Sequence, residues 1–145
     1  MPLTGAYEPS TSERSRTQVE LYERTNGAEG NLMSGMPVII VTSRGAKTGK
    51  LRKTPLMRVE HDGMYAAVAS YAGAAKHPVW YYNLMADPLI EVRDGAVVRD
   101  MTARVATGDE RRAWWDRSVA AFPKYAAYQQ KTEREIPVFI LEPID

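Results

Sequence analysis

Residues 42–55, TSRGAKTGKLRKTP, hold five cations (Arg44, Lys47, Lys50, Arg52 and Lys53), two glycines and no carboxylate. They follow the apolar run Val38-Ile39-Ile40-Val41, which places the cations on a turn between two strands. A glycine-containing turn exposes backbone N–H groups, and Lys47 with Arg52 can close on a phosphate or carboxylate through charge-assisted hydrogen bonds. A solvated basic hairpin accounts for the lysines as well. The missing carboxylates favour an anionic ligand lying against the stretch. A nucleotide P-loop is excluded, because three residues rather than four separate Gly45 from Gly49, Leu51 follows Lys50, and no helix opens there.

A second stretch, residues 70–83, SYAGAAKHPVWYYN, suits an anion for a different reason. Small residues lead into Pro78, which fits a helix start because it has no N–H to leave unsatisfied. Loop and helix start together present N–H groups and the positive end of a helix dipole, and Lys76 adds charge. Trp80, Tyr81, Tyr82 and Asn83 cannot all face the core of so short a helix, so some line a groove while Trp80 or Tyr81 anchors it. Two anion-suited loops around small-residue strands describe a pocket for a long, flat, phosphorylated cofactor.

Other catalytic constellations are missing from the sequence. Ser70 has no Gly-x-Ser-x-Gly context, and His61 and His77 lack partners at metal-ligand spacing. With no cysteine there is no disulfide, thiolate nucleophile or cysteine metal site. Paired carboxylates are not found near the candidate pocket. An enzyme so poor in acid–base groups leaves its chemistry to a bound cofactor and supplies orientation and electrostatics.

The elements that must position these residues can be read in order. Residues 1–17 are expected to be a flexible arm and the start of a helix, and residues 18–145 a single domain. Ser10-x-x-Glu13 has the capping-box pattern for a helix through Arg24, ended by Asn26-Gly27. Its apolar content is thin, so it lies on the domain body, on a partner subunit or on lipid. Strands are expected at 36–43, 51–60 and 64–70, with Pro55 marking the second as an edge strand or a bulge. A helix over 78–86 stops at Asp87-Pro88. Segments 89–93 and 96–106 form a hairpin turning at Asp94-Gly95. Thr107-x-x-Glu110 suggests a second capping box for a helix through about Ala121, and Trp114, Trp115, Val119 and Phe122 read as packing residues. A further helix at 124–134 and a last apolar strand at 136–141 complete the chain. About six mainly antiparallel strands with flanking helices indicate an α+β domain built on a small barrel. A doubly wound parallel sheet is disfavoured, since the first three strands are joined by turns too short for crossovers.

The 145 residues suffice for one core and not two. A hydrophobic share of 44% and a charged share of 26% are those of a globular protein, and no apolar stretch reaches 18 residues. The expected location is cytoplasmic. A net charge of +1 disfavours nucleic-acid binding while allowing a local anion site.

Four segments carry a resemblance: VIIVTSRGAKTGKLRKTPL, ASYAGAAKHPVWYYNLMADP, DMTARVATGDERRAWW and FPKYAAYQQKTEREIPVFILEP. In order and spacing they resemble the deazaflavin-dependent nitroreductases of actinobacteria over residues 18–144. The resemblance implies a split β-barrel like that of the FMN-binding pyridoxamine-phosphate oxidases, the deazaflavin cofactor F420, and hydride transfer to a quinone or another electron-poor acceptor such as a nitroaromatic. It assigns Lys47 and Arg52 to the cofactor's acidic phosphate and polyglutamate tail, with Thr48 and Lys50 assisting. Pro55 and Leu56 would shape the wall beside the ring system. Ser70, Tyr71, Ala72 and Gly73 would lie along the deazaflavin and its ribityl-phosphate chain, with Lys76, Trp80 and Asn83 nearby. Met57, Phe122, Tyr125 and Tyr128 would cover the acceptor, and Tyr125 or Tyr128 would orient it or give it a proton. The family's nitroreductases carry tyrosine at the positions of Met57 and Phe122, so this acceptor site has two hydroxyls fewer. Rival readings are a non-catalytic deazaflavin carrier and an FMN-dependent oxidoreductase on the same barrel. A homodimer and peripheral membrane contact through the N-terminal helix stay open.

Overall fold

The computed structural model describes residues 3–144. Its elements in chain order are α1 (Glu13–Arg24), β1 (Leu32–Met33), β2 (Met36–Arg44), β3 (Leu51–Met57), β4 (Glu60–His61) and β5 (Met64–Val68). A short 3-10 turn (Tyr71–Gly73) follows, then α2 (Val79–Ala86), β6 (Leu89–Asp94), β7 (Val97–Val105), α3 (Gly108–Ala121), α4 (Lys124–Gln130) and β8 (Val138–Pro143). All strand pairs are antiparallel. The curled sheet runs β1-β2-β6-β7-β8-β5-β4, and β3 pairs with β2 off that path. Setting aside the two-residue strands β1 and β4, six strands form the half-barrel that the sequence pattern implies.

The apolar run 38–41 is continuous rather than alternating because β2 is buried on both faces. Ile39 and Val41 point into the barrel with Ile90, Val92, Phe139 and Leu141, whereas Val38 and Ile40 pack outward against Tyr22, Met57, Phe122 and Tyr125. β8 reads the same way: Val138, Phe139, Ile140 and Leu141, with Ile136 just before the strand, are at most 1% exposed. Burying each contributes about 1.5–3 kcal/mol. Pro55 lies opposite Ile40 on β3, an edge strand, so its missing N–H costs no ladder bond to a further strand.

Several boundaries differ from expectation for identifiable reasons. Ser12, not Ser10, caps α1, accepting from the Ser15 N–H at 3.3 Å, while the Ser10 hydroxyl accepts from Ser12 N–H. Thr107 starts α3 without a side-chain cap, and Glu110, the other half of the expected box, is drawn away to Arg104 at 2.6 and 2.8 Å. The β6–β7 hairpin turns at Gly95-Ala96, since Asp94 pairs with Val97 and its carboxylate takes hydrogen bonds from Arg58 Nε (2.9 Å) and the Tyr65 hydroxyl (2.6 Å). The second strand stops at Met57 and the third at Val68. Pro78 is the N-cap of α2, one residue before the helix, α4 ends at Gln130, and the final strand is displaced to Val138–Pro143.

The first two residues of the stretch expected to be a mobile arm lie outside the described residues; of the remainder, residues 3–8 lie along the free edge of β3. Leu51 N–H donates to Ala6 O at 2.8 Å, Glu8 N–H donates to Leu51 O at 2.9 Å, and Leu3 is buried. α1 turns Val19 and Tyr22 onto the sheet, where the Tyr22 hydroxyl donates to Val38 O and accepts from Gly95 N–H at 2.7 Å.

Candidate active site

The basic turn after β2 closes on itself through Gly45 N–H to Lys50 O (2.7 Å) and Gly49 N–H to Gly45 O (2.9 Å). The Thr48 hydroxyl accepts from Lys50 N–H, so it braces the turn. Asn83, buried on α2, accepts the Ala46 N–H at 2.9 Å, and Arg44 reaches Asp87 at 3.4 Å. The two stretches singled out in the sequence are therefore tied together at the α2 end, with Asn83 as the tie.

The five cations divide into two groups. Arg44 bonds Gly49 O and Thr4 O besides Asp87; Arg52 pairs with Glu8 at 3.3 Å; Lys53 meets both Glu23 oxygens at 2.7 and 2.8 Å. Lys47 and Lys50 are exposed and make no salt bridge among the described residues, and the same holds for Lys76. The structure thus leaves Lys47, Lys50 and Lys76 exposed, two on the basic turn and one ahead of α2, and commits Arg52 to the arm.

The second stretch has an unusual backbone. Ser70 is right-handed (φ −75°, ψ −37°), and Tyr71, Ala72 and Gly73 are all left-handed, with φ 47°, 53° and 81°. For the two non-glycine residues this costs energy that their surroundings must supply. A right-handed residue followed by left-handed ones also matches the backbone pattern of anion-binding nests.

Arg134, from the polar segment before β8, supplies part of that support. Its guanidinium donates to Ala69 O (3.2 Å), Ser70 O (2.9 Å) and Ala74 O (2.9 Å), and one Nη lies 3.2 Å from His77 Nδ1. His77 stacks on Tyr81 with ring centroids 3.9 Å apart. Lys131 Nζ reaches Ala72 O at 3.2 Å, and α4 backbone presses against Gly73. Burial, and then the charge of Arg134, hold the His77 pKa below its ordinary value. Neutral His77 can accept from the guanidinium at Nδ1.

Met57, Phe122, Tyr125 and Tyr128 come together in one cluster with Val38, Ile40 and Val68. Phe122 and Tyr125 meet edge to face at 5.0 Å, and Tyr128 lies 6.2 Å from Phe122 and 6.4 Å from Tyr125. Met57, Phe122 and Tyr125 are buried and Tyr128 half-buried. Burial above all, with the Tyr128 phenol second, raises the Tyr125 pKa well above the tyrosine range. Leu56 points the other way and packs on the barrel interior with Trp80, whose ring lies 5.8 Å from Phe139; Pro55 is buried. Trp80 is the core anchor of α2, and Tyr82 stands in solvent.

Sequence reasoning missed Arg134, His77, Lys131 and Glu8. An arginine between Glu133 and Glu135 reads as a solvated charge, and its three carbonyl partners lie 60 to 65 residues earlier. An open depression of about 710 Å³ between α1 and β1, lined by residues such as Gln18, Leu21 and Met33, contains none of the groups described above. Its polar side chains, Glu13, Arg14, Thr17, Gln18 and Ser34, belong to neither anion-suited stretch, and volume alone does not make it the better candidate.

A family profile described as F420H(2)-dependent quinone reductase matches residues 14–143. The chain belongs to this family. It is 34% identical over 125 residues to the F420H(2)-dependent quinone reductase Rv1261c of Mycobacterium tuberculosis, covering 83% of this chain and 84% of the relative. Among solved structures, an F420-H2 dependent reductase is 54% identical with a TM-score of 0.70, covering 73% of this chain and 94% of that one. A domain-swapped dimer is 48% identical with a TM-score of 0.73, covering 88% and 96%. For the fold alone, the "Putative Pyridoxamine 5'-phosphate oxidase" of Listeria innocua gives a TM-score of 0.50 at 12% identity, covering 74% of this chain and 84% of that one. The split-barrel expectation and the F420-dependent oxidoreductase expectation both stand. The resident cofactor of the family is F420, and its anionic character fits the uncommitted lysines and the nest-like backbone at 70–73.

Proposed function

We propose that this F420H2-dependent oxidoreductase reduces a quinone or another electron-poor acceptor, nitroaromatics included, with its cofactor reaching from the Lys47 turn toward the Tyr128 cluster. Lys47, Lys50 and Lys76 hold the acidic tail, with Arg52 joining when it leaves Glu8. Residues 70–73 lie along the ring and its phosphate chain, and Pro55 and Leu56 back that wall. Asn83, Thr48 and Trp80 keep the two stretches in register. The bound reduced deazaflavin supplies a hydride to the acceptor.

The chain's own residues manage the rest. Met57, Phe122 and Tyr125 form an apolar wall that excludes water from the acceptor. Quinone reduction by hydride leaves an oxyanion that takes up one proton. Tyr128 is the better donor, because it is half-buried beside that wall while burial makes Tyr125 a poorer acid. Tyr125 then orients the acceptor by contact.

The observation that carries this reading is the hydrogen bond from Ala46 N–H to Asn83, which supports reading the two anion-suited stretches as halves of one site. The experiment is a fluorescence titration with F420, FMN and FAD, followed by menadione turnover with reduced F420. Binding of FMN alone overturns the cofactor assignment, and tight F420 binding without turnover favours a carrier. A homodimer is part of the proposal, supported by the 48% identical domain-swapped dimer and tested by sedimentation. No helix among the described residues is long and apolar enough to cross a membrane. We leave lipid contact through α1 out of the proposal, because its buried residues Val19 and Tyr22 face the sheet; a cytoplasmic location remains part of it.

A further inference from the structure

Tyr71 and Ala72 hold a backbone conformation that side-chain-bearing residues avoid, and something must stabilise it. Local hydrogen bonds do little: Gly73 N–H to Ser70 O and Ala74 N–H to Tyr71 O close two short turns. The larger support comes from a distant part of the chain. One planar guanidinium bonds the oxygens on both sides of the strained pair, Ala69 and Ser70 before it and Ala74 after it. It makes no salt bridge among the described residues, although carboxylates flank it in sequence; Glu135 goes to Arg111 instead. His77, packed on Tyr81, abuts the guanidinium on one side. Bridging three carbonyls needs a fork of donors, which arginine has and lysine lacks.

We propose that Arg134 is a positioning residue for cofactor capture: by bonding the carbonyls of Ala69, Ser70 and Ala74 it holds Tyr71 and Ala72 left-handed, the shape in which residues 70–73 receive the anionic cofactor. The inference rests on the reading that these residues face F420. Without the guanidinium, the segment relaxes toward ordinary conformations in which its N–H groups diverge. Among the described residues the Arg134 guanidinium makes no hydrogen bond to the acceptor cluster or to the uncommitted lysines, so its loss is expected to weaken cofactor binding more than it changes acceptor KM at saturating cofactor.

The test uses the full chain with Arg134→Met, which keeps the aliphatic stem, and Arg134→Lys, which keeps the charge. Fluorescence titration with F420 is expected to show binding weakened at least about tenfold in both. Adding Ala72→Gly to Arg134→Met should recover several-fold of that loss, since glycine takes positive φ without strain. Hydrogen exchange at Gly73 and Ala74 should quicken in Arg134→Met while β7 and β8 stay protected. Affinity within twofold of the parent in Arg134→Met overturns the proposal. So does a loss that glycine fails to relieve and that tracks a general fall in Tm. If the parent itself does not bind F420, the reading of the site fails; the exchange measurement then judges the positioning role separately, and unchanged exchange overturns it too.

Discussion

Replacing Gly73 with alanine tests the junction between residues 70–73 and α4. Two effects add at that position. With φ at +81°, a Cβ costs about 1–2 kcal/mol through backbone strain alone. The added carbon would also sit 2.8 Å from Tyr128 O, 3.1 Å from Tyr128 Cα and 3.1 Å from Lys131 Cβ. Two of these atoms are backbone, so α4 must shift, at a cost of about 1–3 kcal/mol. The sum is roughly 2–5 kcal/mol, which for a chain of this length lowers Tm by roughly 5–15 °C. Gly49→Ala is the control: φ is +74° but nothing lies within 4 Å, so only the backbone strain applies, about 1–2 kcal/mol. Urea unfolding of both variants measures the difference, and F420 titration of Gly73→Ala should show weakened binding as α4 and the segment separate. Equal destabilisation of the two variants, with parental F420 affinity in Gly73→Ala, would refute the close approach.

Four further outcomes follow from the same geometry. Asn83→Ala removes the acceptor of Ala46 N–H and should lower stability by about 1–3 kcal/mol and weaken cofactor binding, read by urea unfolding and titration. Lys47→Ala with Lys50→Ala should weaken F420 binding strongly at low salt and little at high salt; a salt-independent loss counts against a tail site there. Tyr128→Phe should slow menadione turnover while Tyr125→Phe changes chiefly acceptor KM, and the opposite pattern in steady-state kinetics reverses the assigned roles. His77 has a folded pKa below its unfolded value near 6.5, so its contribution is present above about pH 6.5 and lost as pH falls through the lowered value. F420 affinity should therefore decline from pH 7.5 toward pH 5, and His77→Gln should flatten that decline.

Much of the barrel is legible because its signals are local. Val38 to Val41, the Asp62-Gly63 turn and the small residues of β5 each announce a strand or a turn without help from distant residues. The capping boxes misled because a carboxylate three residues after a Ser or Thr has other opportunities: Glu110 found Arg104, which itself also holds Glu142 on the neighbouring strand. Asp94-Gly95 misled similarly, since Arg58 and Tyr65 recruit the aspartate from 36 and 29 residues away. In the site, residue types were visible and commitments were not. Arg52 looks identical to Lys47 in a string of letters, yet one is paired with Glu8 and the other is not.

That commitment bears on how the site works. Five cations suggest a permanently charged cradle, but three are engaged by Asp87, Glu8 and Glu23, so the structure holds most of its positive charge in check. The Arg52–Glu8 pair is about a third exposed on each side, so its net worth is about 0–1 kcal/mol. A multiply charged tail that bonds Arg52 competes with only that small energy. Displacing Glu8 is therefore easy, and the arm can stay on β3 through its backbone bonds to Leu51 while its carboxylate turns away. Arg44 is different: with bonds to Gly49 O, Thr4 O and Asp87 it sets the shape of the turn. The basic stretch thus combines a frame that must not move, Arg44 held together with Asn83 of α2, and a set of charges, Lys47, Lys50 and Arg52, available to a ligand at little cost.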